Sequence, residues 1–312
     1  MAEFRSYRLT VNLKSPMGTP WQADTIIGHL AWMTWFKEGE KGIKEFLSPF
    51  LEGNPPFILS DGFPGDLLPR PHGMKQAGGV KDLDSYSKER RVRKAEFLKL
   101  SDFEAARLGH EIKEEPIPSP WDDIETLHAT ISRKSNTTTD EAGNLFSTES
   151  WCLRREFALN GSQPINVYLY CREGWREKIE NLFQDLSLEG FGRDKSVGLG
   201  QFETLGLEGW EGFNNFKGAN GFIALSSFVP HENDPVQGRW AFNIKYGKLG
   251  EGTLSSNPFK KPFLQVKPGA VFFTGGPPKP FYGRVLQGLA PGFPGAIQIC
   301  HCLAVPFYYH RG

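Results

Sequence analysis

The hydrophobic pattern of the first fifty residues predicts a strand followed by two helices. Apolar and polar residues alternate over residues 7–13, which is the period of a half-buried strand. Thr19 and Pro20 fit the cap and the first position of a helix, so we expect the first helix to begin there. Apolar positions then recur at helical spacing in two groups: Ala23, Ile26, Ile27, Leu30, Ala31 and Thr34, then Ile43, Phe46, Leu47 and Phe50.

A second strand–helix–strand unit occurs later in the chain. Alternation over residues 165–171 predicts a strand, and apolar residues at helical spacing after Gly174 predict a helix. A glycine-rich segment, residues 190–200, then leads into a strand that contains Phe202. Two such units, with residues 57–59 as a strand of the first, outline a ferredoxin-like (RRM-like) domain.

Two insertions are predicted between these units. Residues 74–120 are rich in charge, and we expect their basic run, residues 88–94, to continue as a solvated helix through Phe103. Residues 127–151 are typical of a β-hairpin with a polar tip around residues 136–143.

Helical patterns end after Gly209, and short apolar segments then alternate with glycine and proline turns. We therefore expect an α+β protein with two ferredoxin-like domains. The first comprises residues 1–208 with both insertions, and the second, over residues 209–312, is RRM-like and mainly β. The strands expected in the second domain are residues 222–229, 240–246, 263–266, 271–274 and 297–305.

Overall charge restricts how the chain can bind nucleic acid. Lysine plus arginine and aspartate plus glutamate both number 36, so the formal net charge is zero. A protein that binds nucleic acid alone is usually basic, because neutralising phosphates supplies much of its affinity. Zero net charge argues against an independent RNA binder and allows a subunit that holds RNA within an assembly.

Neither a membrane segment nor a metal or cofactor site is expected. No apolar stretch approaches the length of a membrane span and the start lacks a signal core, so we expect a cytoplasmic protein without a membrane partner. Four cysteines have neither the density of a disulfide framework nor zinc-ribbon spacing. Cys300, His301 and Cys302 would alternate in a strand, which favours buried thiols over a metal site.

The glycine-rich segment is the main candidate for binding chemistry. Its glycines allow close approach of the main chain to a phosphate, and successive N–H groups can form an anion-binding nest. It lacks the Gly-Lys-Ser/Thr ending of a Walker loop, and it follows a helix and enters a strand, the reverse of a Rossmann fingerprint. A tight connection that needs positive φ is the equally favoured alternative. The candidate phosphate ligands are Gly192, Arg193, Asp194, Lys195, Ser196, Gly198 and Gly200.

A glycine-rich loop after the last helix of a ferredoxin-like domain resembles the signature of RAMP proteins, the repeat-associated RNA binders of CRISPR systems. Three segments look like those of subunit 4 of type III-A (Csm) effector complexes, in the expected order. They are TPWQADTIIGHLAW at residues 19–32, SDGFPGDLLPRP at residues 60–71, and residues 190–202. The C-terminal third matches more loosely, through Lys260-Lys-Pro-Phe and the turn at residues 275–283.

The resemblance implies a non-catalytic subunit that caps the repeat-derived 5′ tag of the guide RNA in antiviral defence. It also implies contacts with the large polymerase-like subunit and with the first backbone subunit. The predicted hairpin would then project across the guide–target duplex and contact target RNA. Arg133, Lys134 and Asn136 suit backbone contacts there, while a plain surface hairpin is the alternative.

A second RNA contact is possible in the C-terminal domain, where lysines and arginines lie among aromatic residues. Bases stack on aromatic rings and phosphates pair with cations, so Lys279 and Arg284 are candidates, with Lys260 and Lys261 nearby. A proline- and glycine-rich loop with a snorkelling charge explains the same pattern.

His29 lies on the first helix, where some RAMP endonucleases carry a catalytic histidine. A metal-independent repeat endoribonuclease using His29 is therefore an alternative function, although a lone histidine more often packs or accepts a hydrogen bond. A scaffold that contacts mostly protein is a third hypothesis. Asp24 favours the positive end of a helix and is expected to be structural.

Two further groups have a structural and a functional explanation. Asp61, Asp66 and Arg70 flank a turn, where an ion pair that fixes the loop is favoured over catalysis. The aromatic cluster Trp32, Trp35 and Phe36 could form an exposed patch for a partner, but core packing is the commoner outcome.

Overall fold

The computed structural model describes residues 4–74, 95–112, 116–130, 145–250 and 257–310, which form a mixed α+β fold made mainly of strands. The helices are α1 (Ala23–Leu51), α2 (Leu100–Arg107) and α3 (Arg176–Glu189). The strands are β1 (Arg5–Leu13), β2 (Phe57–Pro64), β3 (Leu67–Pro69), β4 (Phe97–Lys99), β5 (Trp121–Ala129), β6 (Leu145–Leu153), β7 (Pro164–Cys171), β8 (Phe202–Gly209), β9 (Gly221–Ala224), β10 (Gly238–Arg239), β11 (Phe242–Lys245), β12 (Phe263–Val266), β13 (Val271–Phe273), β14 (Phe281–Gln287) and β15 (Ile297–Phe307).

The first sheet confirms the ferredoxin-like prediction for the N-terminal part. Its strands are antiparallel in the order β2-β7-β1-β8, with α1 following β1 and α3 following β7. This is the arrangement of a split β-α-β fold. Apolar residues on one face, such as Leu9 and Val167, pack against Ile26 of α1 and Phe183 of α3.

The other face of this sheet is also buried, which the alternation did not predict. Every residue of β7 is buried, including Tyr168 and Tyr170 on the face opposite the helices. These tyrosines share a core with Ile223 and Leu303 of a second sheet, ordered β10-β13-β9-β15-β14. The two sheets therefore stabilise each other through one apolar layer.

The first helix begins at Ala23, so the predicted start after Thr19 is wrong. Gln22 occupies the cap position without a side-chain cap, and the N–H of Ala23 donates to Asp61 Oδ1 over 2.8 Å. The carboxylate of Asp61, on β2, thus satisfies a backbone N–H at the start of the helix, a role that the sequence predicted for the side chain of Thr19. The two predicted helices together form α1, which is kinked at Gly39, where φ is 65° and ψ is −156°.

The two insertions match the predictions in part. In the first insertion, Phe97 belongs to strand β4 and α2 begins at Leu100, so a helix continuing through Phe97 is wrong. The basic run at residues 88–94 lies outside the described residues. The second insertion is a hairpin as predicted, but its strands β5 and β6 pair from Trp121 and Leu153 outward.

The C-terminal part is mainly β as predicted, and its described residues contain no α-helix. Its strands β10 and β14 were not predicted, and β14 pairs with β15 over the whole of its length. The domain division at residues 208 and 209 stays a prediction, because the shared apolar layer joins both sheets. Of the helices in the described residues, none combines the length and apolar character needed to cross a membrane.

Candidate nucleic-acid interface

The glycine-rich segment, residues 190–200, forms a tight loop between α3 and β8. Gly192 and Gly200 have φ of 84° and 64°, which favours glycine. A Cβ on Gly200 would lie 1.9 Å from the carbonyl oxygen of Phe191, and one on Gly192 would lie 2.6 Å from Cβ of Thr19. The predicted need for positive φ is therefore confirmed, and the glycines are also required by close packing.

The segment before α1 and α1 itself hold this loop. The N–H of Gly192 donates to Nε2 of His29 over 3.2 Å, and the N–H of Arg193 donates to Oγ1 of Thr19 over 3.0 Å. The N–H of Gly200 donates to the carbonyl oxygen of Pro16 over 2.8 Å. The glycine N–H groups at positions 192 and 200 are consequently occupied inside the protein and are not available to a ligand.

Three other backbone donors of the loop have no such partner. Among the described residues, no acceptor receives the N–H groups of Asp194, Lys195 and Ser196. Asp194 is left-handed (φ 58°, ψ 22°), and a short 3₁₀ helix, Lys195–Val197, begins right after it. A left-handed residue followed by a right-handed one directs successive N–H groups into one concavity, which is an anion-binding nest.

The charged side chains of the loop are already engaged, but they remain near solvent. A guanidinium nitrogen of Arg193 donates to the carbonyl oxygen of Glu149 in β6. Nζ of Lys195 lies 2.9 Å from a carboxylate oxygen of Glu189. Arg193, Ser196 and Gly198 are exposed. An anion at this loop would meet three N–H groups and Arg193 first, and would compete with Glu189 for Lys195.

His29 lies half-buried against the loop and has the environment of a neutral hydrogen-bond acceptor. Its pKa is lowered to about 4, mainly by burial and to a smaller extent by the positive charge of Lys195. The carboxylate of Glu189 raises the pKa, but by less than Lys195 lowers it. Its ring lies 4.8 Å from the ring of Phe191, centroid to centroid. The packing and hydrogen-bonding role favoured by the sequence is confirmed, because Nε2 receives the Gly192 N–H.

The hairpin is fixed beside the glycine loop at its base. Met17 and Trp151 exchange backbone hydrogen bonds of 2.7 and 2.9 Å, and Arg193 reaches Glu149 on the same strand. The loop, the segment before α1 and the start of the hairpin thus form one continuous surface. The predicted contact residues Arg133, Lys134 and Asn136 lie outside the described residues.

The C-terminal candidates belong to a different element. Lys279 precedes β14 and its N–H donates to the hydroxyl of Tyr282, while Arg284 lies on β14 opposite Cys300. Lys260 was expected near an RNA-facing surface, but its side chain is turned into the protein. Its Nζ donates to Gln298 Oε1 over 2.7 Å, and burial lowers its pKa.

Asp24 belongs to a buried polar cluster that the sequence did not predict. Its Oδ1 lies 3.0 Å from Nζ of Lys245, and its Oδ2 accepts from Gln265 and Gln298 over 2.9 and 2.8 Å. Lys245 also donates to Gln22 and Thr25, which uses the three donors of its ammonium group. The structural role expected for Asp24 is confirmed, but it arises from contacts with distant strands and not only from the helix end.

Asp61 does not form the ion pair expected at the turn after it. Its carboxylate accepts from the N–H of Ala23, the N–H of Ser227 and the hydroxyl of Ser227, which joins α1 to the segment after β9. Burial raises the pKa of Asp61 to about 6, although these hydrogen bonds lower it. Asp66 instead lies 4.0 Å from Arg8.

The aromatic cluster on α1 is more exposed than expected. Phe36 is 64% exposed and Trp35 is 42% exposed, so the prediction of core packing is wrong for both. The three rings contact one another on the helix surface, with centroids 5.7 to 6.5 Å apart. Helical spacing could not separate this cluster from the core stripe, because apolar residues on either face have the same period.

The segment Cys300–Cys302 carries two buried thiols. Cys300 and Cys302 are fully buried in β15, and burial raises the pKa of each thiol. His301, between them, packs against Phe50 and Phe281. In the described part of the chain, no three side chains of His, Cys, Asp or Glu are grouped so that they could hold a metal ion.

No protein-family model and no curated protein matches this sequence. Solved structures do match its fold over nearly the whole chain. A chain of the Csm1-Csm4 cassette in complex with cA4 is similar with a TM-score of 0.64 and 17% identity, covering 98% of this chain and 100% of that one. The same cassette in complex with pppApA gives a TM-score of 0.62 at 16% identity and the same coverage.

A third solved structure shares only one named component with that cassette. A chain of the Csm3-Csm4 subcomplex in the type III-A CRISPR-Cas interference complex has a TM-score of 0.59 and 14% identity, covering 97% of this chain and 99% of that chain. Csm4 is the component named in both assemblies. This chain therefore has the fold of a chain found in these two assemblies, both of which contain Csm4.

Proposed function

We propose that this chain is the RNA-seating subunit of a type III-A CRISPR effector complex in antiviral defence. In this role it binds and caps the repeat-derived 5′ tag of the guide RNA and has no catalytic activity of its own. The observation that carries the proposal is the Csm4-like fold, which extends over nearly all of both chains and includes the hairpin and the second sheet.

The glycine loop supports the RNA-binding part of the proposal. The three free N–H groups of Asp194, Lys195 and Ser196 form an anion site, and Arg193 adds an exposed cation beside it. Backbone donors and guanidinium groups are the usual ligands of RNA phosphates. We infer that the loop holds a tag phosphate, with Gly192, Gly198 and Gly200 shaping the loop.

The partners follow from the same likeness. The similar chains come from assemblies with Csm1 and with Csm3, so we infer one neighbour of each kind for this chain, the large subunit and a backbone subunit. The balance of 36 basic and 36 acidic residues supports binding within an assembly, because a balanced chain has little long-range attraction for RNA. Lys279 and Arg284 would add contacts on the C-terminal sheet.

The hairpin extends the proposal to the target strand. Its strands β5 and β6 emerge from the site beside Arg193, and most of their residues are exposed. We infer that its far end, with Arg133, Lys134 and Asn136, crosses the guide–target duplex and contacts target RNA.

The endoribonuclease alternative is disfavoured by the environment of His29. A general acid or base works best with a pKa near the working pH and within reach of the substrate. His29 is half-buried, desolvation lowers its pKa to about 4, and its Nε2 is occupied by the N–H of Gly192. Incubation of the purified chain with repeat RNA tests this point, and specific cleavage abolished by His29→Ala would overturn the binding role.

Co-purification from the native host tests the proposed function as a whole. We expect the tagged chain to bring down guide RNA with an intact 5′ repeat segment, together with the large and backbone subunits. Recovery of those proteins without any guide RNA crosslinked to this chain would favour the scaffold alternative. Recovery of neither would contradict the proposal.

A further inference from the structure

The two-stranded ribbon of β11 and β12 presents an apolar face to solvent. Phe242 and Ile244 on β11, and Tyr246 just after it, follow one another at alternate positions and are all exposed. Leu264 of β12 lies directly opposite Ile244, and the two residues are 57% and 54% exposed. Single exposed apolar residues are ordinary, but a contiguous group marks a site of contact with another molecule.

The opposite face of the ribbon is fixed to the rest of the protein. Lys245 and Gln265 bond to the carboxylate of Asp24 in α1, over 3.0 and 2.9 Å. On the far side of β12, Val266 and Phe228 exchange backbone hydrogen bonds of 2.8 and 3.1 Å. The ribbon is therefore held along its inner face and along β12, and its apolar face is presented in a defined position.

Strand β11 is an edge strand with outward backbone groups. Because Phe228 takes the N–H and C=O of Val266, Val266 and Phe242 form a pair without mutual hydrogen bonds, and so do Leu264 and Ile244. The N–H and C=O groups of Phe242 and Ile244 consequently point away from β12. Within the described residues they meet no hydrogen-bonding partner. Outward groups at positions i and i+2 are the groups with which an added strand pairs.

The charges around the ribbon have one sign. Residues 238–250 and 257–269, which contain both strands, include six lysines and arginines and no aspartate or glutamate, although the whole chain is balanced. Three of these cations, Lys248, Lys261 and Lys267, are exposed. Complementary charge favours a partner that carries carboxylates.

Single-stranded RNA is the alternative occupant, because lysines beside aromatic rings also suit RNA. The centre of the face, however, is the aliphatic pair of Ile244 and Leu264, which offers no ring for a base to stack on. The ring of Phe259 has Nζ of Lys248 over it, 5.3 Å from the centroid. A protein segment would use both the aliphatic face and the backbone groups of the β11 edge, whereas RNA would use neither.

We propose that the edge of β11 binds an extended segment of a partner protein as an added strand. Apolar side chains at alternate positions of that segment cover Ile244 and Leu264, and its acidic residues pair with Lys248 and Lys261. The proposal concerns a protein contact and does not depend on RNA binding by the glycine loop.

The test compares the isolated chain with the complex that is purified through it from the native host. Hydrogen–deuterium exchange of peptides that contain Phe242 and Ile244 is expected to slow roughly 10-fold or more in the complex. Carbodiimide crosslinking, which joins amines to carboxylates in contact, is expected to link Lys248 or Lys261 to an acidic residue of a partner protein. Equal exchange in both samples would refute the proposal. Ultraviolet crosslinks from the ribbon to RNA would assign the face to nucleic acid and refute it as well.

Two variants address the backbone edge and the apolar face separately. Ile244→Pro removes an outward N–H and breaks no hydrogen bond to β12, because an edge strand tolerates proline where the N–H faces outward. Leu264→Lys leaves the edge intact and places a charge on the face. Each is expected to lower recovery of the crosslinked partner roughly 10-fold or more, a loss of about 1.4 kcal/mol.

Leu159→Lys is the matched control, since Leu159 is 60% exposed and lies outside the ribbon. It is expected to leave recovery of the partner unchanged. Normal recovery in both ribbon variants would overturn the proposal, and so would an equal loss in the control. Loss of guide RNA with the ribbon still protected would contradict the proposed function and leave this contact standing.

Discussion

The N–H of Gly192 donates to Nε2 of His29 over 3.2 Å, so the first helix holds the glycine loop through an uncharged imidazole. A protonated ring would present a donor to this N–H and would place a second cation near Lys195. The position of the loop, and with it the anion site, therefore depends on the protonation state of His29. Acidic pH should weaken both.

The first prediction concerns stability between pH 7 and pH 4. Burial lowers the pKa of His29 from 6.5 to about 4, so in this window the unfolded chain binds more protons and folding stability falls as the pH falls. The expected decrease from His29 alone is about 3 kcal/mol. His29→Gln keeps an acceptor for Gly192 and removes this decrease.

Urea unfolding of the wild-type chain and of His29→Gln at both pH values measures the effect. His301 has a pKa lowered to about 4 by burial, and Asp61, with a pKa raised to about 6, acts in the opposite direction. Both groups are present in each protein, so the difference between the two pH profiles isolates His29. Parallel profiles would show that the pKa of His29 is not lowered in the folded protein and would contradict the prediction.

The second prediction separates the two reasons for glycine in the loop. Gly200→Ala places a Cβ 1.9 Å from the carbonyl oxygen of Phe191 and strains φ as well, so it should displace the loop and reduce guide RNA retention. Gly198→Ala strains φ alone, because a Cβ there meets nothing within 4 Å, and should cost about 1 kcal/mol. Thermal unfolding and RNA retention of both variants check this, and equal effects would contradict the packing argument.

The third prediction concerns the buried pair of Asp24 and Lys245. Lys245→Met leaves the carboxylate of Asp24 buried without its cation, so unfolding free energy should fall by roughly 3–5 kcal/mol. Asp24→Asn combined with Lys245→Met should be less harmful than the sum of the single changes. Lys44→Met is the control, because the pair of Lys44 with Glu40 is exposed on α1 and its removal should leave stability unchanged. A similar decrease in both lysine variants would contradict this account.

Local patterns were sufficient to predict much of the fold. The strand at residues 7–13, the strand at residues 165–171 and the helix after Gly174 each obey one period over several residues, because one face of each packs against the core that contains Leu9, Val167 and Phe183. The positive φ of Gly192 and Gly200 was also predictable, because glycine is the residue that tolerates such backbone.

Long-range contacts account for what the sequence could not predict. The cap at Ala23 comes from Asp61, and Lys245 reaches Asp24 from 221 residues away, so no local spacing contains either contact. The free donors at Asp194, Lys195 and Ser196 are set by distant residues as well, because Thr19 and His29 accept the N–H groups of Arg193 and Gly192 and so fix the loop.

The central claim is that the glycine loop holds guide RNA, and salt-dependent RNA retention in the assembled complex tests it most directly. Arg193→Ala with Lys195→Ala should lower affinity and reduce the slope of log affinity against log salt by about 1.4, or about 0.7 for each phosphate that is no longer neutralised. Arg5→Ala with Lys41→Ala, which removes an exposed arginine and an exposed lysine outside the loop, should change neither quantity. Unchanged affinity and slope in the loop variant would contradict the claim and favour a scaffold that binds mostly protein.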